Sequence, residues 1–206
     1  MTAGFVIDHT TAEPDHQLDP EIALEQPLDV RARELRIAIR VEQALCLRLN
    51  RACRRPVVRA FFAAVSRAGD GLLWYALMAA VALLDVSGGR RIALMMAVTG
   101  ATGAALYKFL KTRLVRERPF ISHAGILCGT TPLDRYSFPS GHTLHAVSFT
   151  ILAGAHYPWL LPALLPLALA MAASRVVLGL HYPSDVVAGA AIGAVLATTS
   201  LAIWSI

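Results

Sequence analysis

The chain has 206 residues, of which 56% are hydrophobic and only 16% charged, with a formal net charge of +5. That balance excludes an ordinary soluble domain, which needs a larger charged surface to stay in water. The length leaves room for one domain with a short appendage.

Residues 1–29 carry Asp8, Glu13, Asp15, Asp19, Glu21, Glu25 and Asp29 without one Lys or Arg, and Pro14, Pro20 and Pro27 interrupt them. This composition predicts a flexible acidic tail. It also lacks the basic and apolar regions of a secretory signal, so a first membrane span is expected to direct insertion.

Residues 30–66 reverse the charge, with Arg31, Arg33, Arg36, Arg40, Arg48, Arg51, Arg54, Arg55 and Arg59 interleaved with Leu35, Ile37, Ile39, Val41, Leu45, Leu47 and Leu49. Length and the Ala, Leu, Arg and Glu content favour helix over strand. The charge is too high for a span, so the segment reads as a basic amphipathic interfacial helix, restarted at Pro56 by a second short piece over Val57–Val65. Such an arm suits an anionic leaflet; no nucleic-acid-binding motif accompanies the arginines, and nucleic acid is not an expected partner.

The membrane domain is expected over 67–206. Ser66 to Gly71 reads as a turn, with Asp70 a turn residue. Five apolar runs follow, at Leu72–Leu84, Ile92–Leu106, Leu144–Ala155, Trp159–Leu178 and Val186–Ile206. They predict an all-α polytopic membrane helix bundle of about five spans, with a sixth left open, and N-terminal interfacial amphipathic helices. Gly100, Gly103, Ala104, Gly189, Ala190 and Gly193 are small enough to let such helices approach closely. Cys46, Cys53 and Cys128 are an odd set without CxxC and predict free thiols.

Polar groups are costly in an apolar chain, so their positions carry information. They gather at Lys111 to Pro119, at Pro139-Ser140-Gly141-His142, and at Ser174-Arg175 with His181 to Asp185. The third and fourth runs form a hairpin around His156-Tyr157-Pro158, which puts the start of one and the end of the other on one side of the membrane. The segment joining the second and third runs holds the first two clusters, so all three converge. Lys111, Arg118 and Arg175 supply cations, Ser140 and Gly141 precede a helix whose free amides favour an anion, and arginine forks match phosphate oxygens. His181 with Asp185 gives a histidine oriented by a carboxylate, and His142 is available as an acid. The carboxylates Glu117, Asp134 and Asp185 are too dispersed for a magnesium site, so no metal or other cofactor is expected.

These blocks resemble the signature of the type 2 phosphatidic acid phosphatase (PAP2) superfamily, KxxxxxxRP, PSGH and SRxxxxxHxxxD, which also describes the site of vanadium haloperoxidases. Each block matches in order and internal spacing, and the resemblance covers roughly Leu72 to the C-terminus. It implies a lipid phosphatase in which His181 is the nucleophile forming a phosphohistidine, Asp185 its orienting partner and His142 the general acid. Lys111, Arg118, Ser140, Gly141 and Arg175 would bind phosphate, without metal. The implied partners are the bilayer, expected to be a bacterial cytoplasmic (inner) membrane, and a lipid phosphate or pyrophosphate. Undecaprenyl pyrophosphate is the first candidate, ahead of phosphatidate, phosphatidylglycerol phosphate and lipid A phosphates. A binder or transporter would need only the cations, so both histidines and Asp185 speak against it; the apolar spans speak against a haloperoxidase. His145, one turn beyond His142, is expected to pack or to support it.

Overall fold

A computed structural model describes residues 20–204, with side chains from residue 30 onward. The tail expected over 1–29 lies outside the described residues as far as residue 19. The described residues form helices α1 (Pro20–Asn50), α2 (Pro56–Ala68), α3 (Leu72–Leu84), α4 (Gly89–Leu114), α5 (Pro119–Ser122), α6 (Gly141–His156), α7 (Leu161–Val177) and α8 (Pro183–Trp204). The only extended pairing among them is an isolated bridge between Glu117 and Tyr136. The described residues divide into two units at the boundary between Ile39 and Arg40. In the first, α1 exposes Val30, Leu35, Ile37 and Ile39. All that follows concerns the second.

Each of the five apolar runs is a helix: α3, α4, α6, α7 and α8. α4, α7 with the turn before it, and α8 are each long and apolar enough to cross a bilayer, and α2 and α3, bent by 48° at their junction, meet the same measure only as a pair, the pattern of a broken span or a re-entrant loop. The piece read as interfacial over Val57–Val65 lies within α2, which meets the first run, α3, at that bend. The third run, α6, has 16 residues, about 24 Å at 1.5 Å per residue, short of the roughly 30 Å hydrocarbon core. Its environment explains this: α6 packs against α4, α7 and α8, and ten of its side chains, from His142 to Gly154, are buried. A helix clothed in protein need not match the lipid.

The core gathers Trp74, Met95, Met96, Phe149, Leu152, Met171 and Ala197 from α3, α4, α6, α7 and α8. α8 lies unusually close to α6. A Cβ on Gly189 would stand 2.4 Å from the Ser140 carbonyl oxygen, and one on Gly193 2.4 Å from that of Leu144. Side chains at either position would push α8, and Asp185 in its first turn, off the site.

One end of the bundle is fixed by Tyr157 donating to Asp85 at 2.8 Å and by Arg91 donating to the Trp204 carbonyl. At the other end meet the C-termini of α4 and α7, the N-termini of α6 and α8, and the α2–α3 break. Asn50 closes that end: its Nδ2 donates to the carbonyls of Leu127 (2.9 Å) and Val177 (2.8 Å), and its Oδ1 accepts from the Leu127 amide (2.8 Å).

Candidate active site

Lys111, Arg118 and Arg175 are 7%, 1% and 3% exposed and line one cavity of about 430 Å³. Burying an unpaired cation costs several kcal/mol, so three together demand anionic company. Part of it is Asp134, in the loop before α6. Its Oδ2 accepts from Lys111 Nζ at 2.6 Å and its Oδ1 from Arg118 Nη2 at 2.7 Å. Burial pushes the Asp134 carboxyl up, but the hydrogen bonds and charges of Lys111 and Arg118 outweigh it and hold it below the usual carboxylate range. Arg118 also donates to the Leu180 carbonyl at 2.8 Å, which fixes its fork. Arg175 donates to Ser66 Oγ, while its Nε is buried with no hydrogen-bond partner among the described residues.

His181, in the turn between α7 and α8, is 1% exposed. Its Nε2 lies 3.3 Å from Arg118 Nη1. Accepting from that guanidinium requires a lone pair on Nε2, so the ring proton resides on Nδ1, 3.6 Å from Asp185 Oδ2. That is facing distance rather than a hydrogen bond. Burial first, then the charges of Arg175, Arg118 and Lys111, hold the imidazole well below its ordinary value. His181 is therefore neutral at pH 7, with Nε2 presented to the cations.

His142, in the first turn of α6, is 9% exposed. Its Nε2 pairs with Asp70 Oδ1 at 2.7 Å, and the ring also faces the Ser66 carbonyl. Asp70 occupies the α2–α3 break. Gly71 there has φ 133°, a backbone that side-chain-bearing residues rarely adopt, and a Cβ on Gly69 would come within 3.0 Å of His142 Cδ2. The two glycines allow the break to carry a carboxylate onto the imidazole.

Gly141 lines the cavity, as do both histidines and the three cations. Asp185 lies behind His181, fully buried. Ser140, fully buried, is set just behind Gly141. Its amide donates to the Asp185 carbonyl at 3.0 Å and its hydroxyl pairs with Thr143 Oγ1 at 3.0 Å, so it ties α6 to α8. His145 bridges to the carbonyls of Gly141 (3.0 Å) and Gly100 (3.1 Å) and stacks on Phe149, a packed residue that also borders the cavity.

Sequence reasoning did not find the partnership of Asp70 with His142, that of Asp134 with Lys111 and Arg118, or the bond from Arg116 to Asp185. Asp70 and Asp134 sit in turns where Asp is ordinary, and Arg116 is one arginine among several. Among the described residues, no three His, Cys, Asp or Glu side chains are grouped to hold a metal ion.

The chain matches the PAP2 superfamily over residues 88–205. It is 37% identical over 146 residues to decaprenylphosphoryl-5-phosphoribose phosphatase of Mycobacterium tuberculosis, covering 68% of this chain and 77% of that protein. It is 35% identical over 92 residues to lipid A 1-phosphatase of Rhizobium etli, covering 43% and 40%. The crystal structure of Aquifex aeolicus LpxE superposes with a TM-score of 0.67 at 25% identity, over 76% of this chain and 92% of that one.

Proposed function

The chain belongs to the PAP2 superfamily of membrane lipid phosphatases, and we propose that it removes phosphate from a lipid phosphate or pyrophosphate through a phosphohistidine on His181, without metal. The observation that carries this reading is the buried His181 Nε2, 3.3 Å from Arg118 in a cavity shared with Lys111, Arg175 and His142. A cradle for binding alone would have no use for an unprotonated imidazole there.

In the proposed reaction the substrate phosphate takes its place among Lys111, Arg118, Arg175 and the Gly141 amide. The cations spread the charge of the transferring phosphoryl group, the work a metal ion does elsewhere. His181 Nε2 attacks phosphorus, the bond to the leaving oxygen breaks, and that oxygen takes a proton from His142. Nδ1–H, now on an imidazolium, is stabilised by Asp185. Water then attacks phosphorus, gives its proton to His142, and the P–N bond breaks to release inorganic phosphate and restore His181. Lipid tails remain in the bilayer throughout. The setting proposed is a bacterial cytoplasmic membrane.

The relatives' printed substrates, a decaprenyl-linked 5-phosphoribose and lipid A, support a lipid-bound phosphate; undecaprenyl pyrophosphate and phosphatidate are the substrates to test first. Detergent-purified protein in excess EDTA should release phosphate from at least one of them, and His181→Ala should abolish release while eluting as the wild type does. Full activity in His181→Ala, or activity lost to EDTA, would overturn the mechanism. Tight binding without release by the wild type would favour a lipid-phosphate binder.

A further inference from the structure

We propose that Arg116 is a positioning residue that holds Asp185 toward His181, and that Glu42 of α1 holds Arg116 in that pose, which makes the end of α1 a working part of the catalytic unit. The inference rests on the reading of His181 as nucleophile.

Asp185 is fully buried and clamped at both oxygens. Oδ2, the atom facing His181 Nδ1, accepts from the Tyr182 amide at 2.8 Å, and Oδ1 accepts from Arg116 Nη1 at 2.7 Å. A carboxylate cannot rotate without breaking one of these bonds, so the lone pair presented to His181 is set by Arg116. The guanidinium is fixed in turn. Nη1 also donates to Ser184 Oγ at 2.6 Å, Nη2 donates to Glu42 Oε2 at 2.6 Å, and its carbon lies 4.0 Å over the Tyr182 ring centre. A planar fork satisfies these partners together; an ammonium cannot. Burial pulls the Arg116 guanidinium down, but the Asp185 and Glu42 carboxylates more than offset it.

Glu42 has a second task. Its Oε1 accepts from the Ser184 amide at 2.9 Å. That amide is in the first turn of α8, where donors lack helical partners and the helix dipole favours negative charge. One carboxylate from α1 therefore neutralises Arg116 and caps the helix that carries Asp185. The backbone is bent to the same end: Val115, just before Arg116, has φ 42° and ψ 43°, a left-handed conformation disfavoured for a β-branched residue. Strain of that kind persists where its surroundings hold it in place. Arg116 is an unspecified position inside the Lys111 to Arg118 block, and Glu42 lies well outside the matched residues 88–205. Neither is assigned by the three blocks.

The test is steady-state phosphate release by the full chain with Glu42→Gln, Arg116→Gln, Arg116→Lys and the double variant Glu42→Gln/Arg116→Gln. Arg113→Gln, on the exposed end of α4, controls for general loss of positive charge. Gel filtration and melting temperature check folding. Arg116→Gln should lower kcat about 10–100-fold and Glu42→Gln about 3–10-fold, with KM moved less than about threefold, because the phosphate cradle is untouched. Arg116→Lys should recover part of kcat. The double variant should be no slower than Arg116→Gln, because Glu42 acts through Arg116. Unchanged kcat in folded Arg116→Gln, losses in KM alone, or a double variant whose losses multiply would each overturn the proposal. The functional reading fails separately, through an inactive wild type or an active His181→Ala.

Discussion

Asp70 Oδ1 and His142 Nε2 stand 2.7 Å apart although the residues are separated by 72 positions and belong to different elements. A carboxylate on one side of an imidazole favours the protonated ring and fixes its plane. Asp70 thereby orients His142 at the cavity wall and opposes the cost that burial places on the protonated ring, the form an acid for a leaving oxygen must take.

Asp70→Asn should therefore slow release of a poor leaving group far more than that of a good one. On a lipid phosphate, whose alkoxide needs a proton, kcat is expected to fall about 10–100-fold, up to the lower end of what general acid catalysis contributes, because His142 itself remains. On p-nitrophenyl phosphate, whose leaving group departs as a stable anion, the loss should be several times smaller. Equal losses on both substrates would assign Asp70 to binding or folding instead.

Asp134 meets two of the three cradle cations, the pair a phosphate would bind. Its carboxylate would compete with the substrate, and Asp134→Asn should tighten inhibition by inorganic phosphate by about 3–10-fold, roughly the net worth of one ordinary hydrogen bond, since the asparagine still holds part of the contact. Weaker inhibition would mean that Asp134 orients the cations. The same variant tests stability. The folded carboxyl is held below its unfolded value, so its contribution is present above the ordinary carboxylate range and lost as pH falls through the folded value. The melting temperature of the wild type should drop more steeply below about pH 4 than that of Asp134→Asn.

For His181 the folded pKa lies well below 6.5. The nucleophile stays unprotonated in mildly acidic solution, so the acid limb of kcat/KM assigned to it, after correction for substrate ionisation, should fall below pH 6.5. An enzyme group titrating at or above that value, shown to be His181 by nitrogen NMR of labelled protein, would contradict the buried cationic setting. Linkage has the matching sign. The unfolded chain takes up this proton near pH 6.5 and the folded chain does not, so stability declines as pH falls below that value, less so in His181→Asn.

The helices and most of the cavity were legible because each rests on local sequence: apolar runs of helical length, and three motif blocks whose polar residues have no reason to interrupt such runs. α6 was legible as a run but is too short to span by length, because its surroundings are protein, which a single run cannot disclose. Asp70 and Asp134 were hidden for a different reason. Each is a turn aspartate locally, and its partnership depends on a contact across 72 or 23 positions that no periodicity reports. The α2–α3 break was legible as a turn over Ser66 to Gly71, but not that it carries Asp70 onto His142. The bond of the Ser140 amide to the Asp185 carbonyl was hidden likewise, because it depends on the close approach of α8 through Gly189.

The cavity continues from the cations between Trp74, Tyr75 and Met78 of α3 and Ala97, Gly100, Ala101 and Ala104 of α4. Ala97, Gly100, Ala101 and Ala104 make the α4 side of this stretch of small residues. A lipid bound by its phosphate would run its tail along it. Ala104→Leu narrows the passage without touching a charged or catalytic group. It should raise KM for a long-tailed lipid phosphate about tenfold, equivalent to about 1.4 kcal/mol, while kcat/KM on a short soluble aryl phosphate stays within about twofold because that substrate does not reach the wall. Equal losses on both substrates would mean that the leucine disturbs α4 and its Lys111. No loss on either would send the tail out by another route.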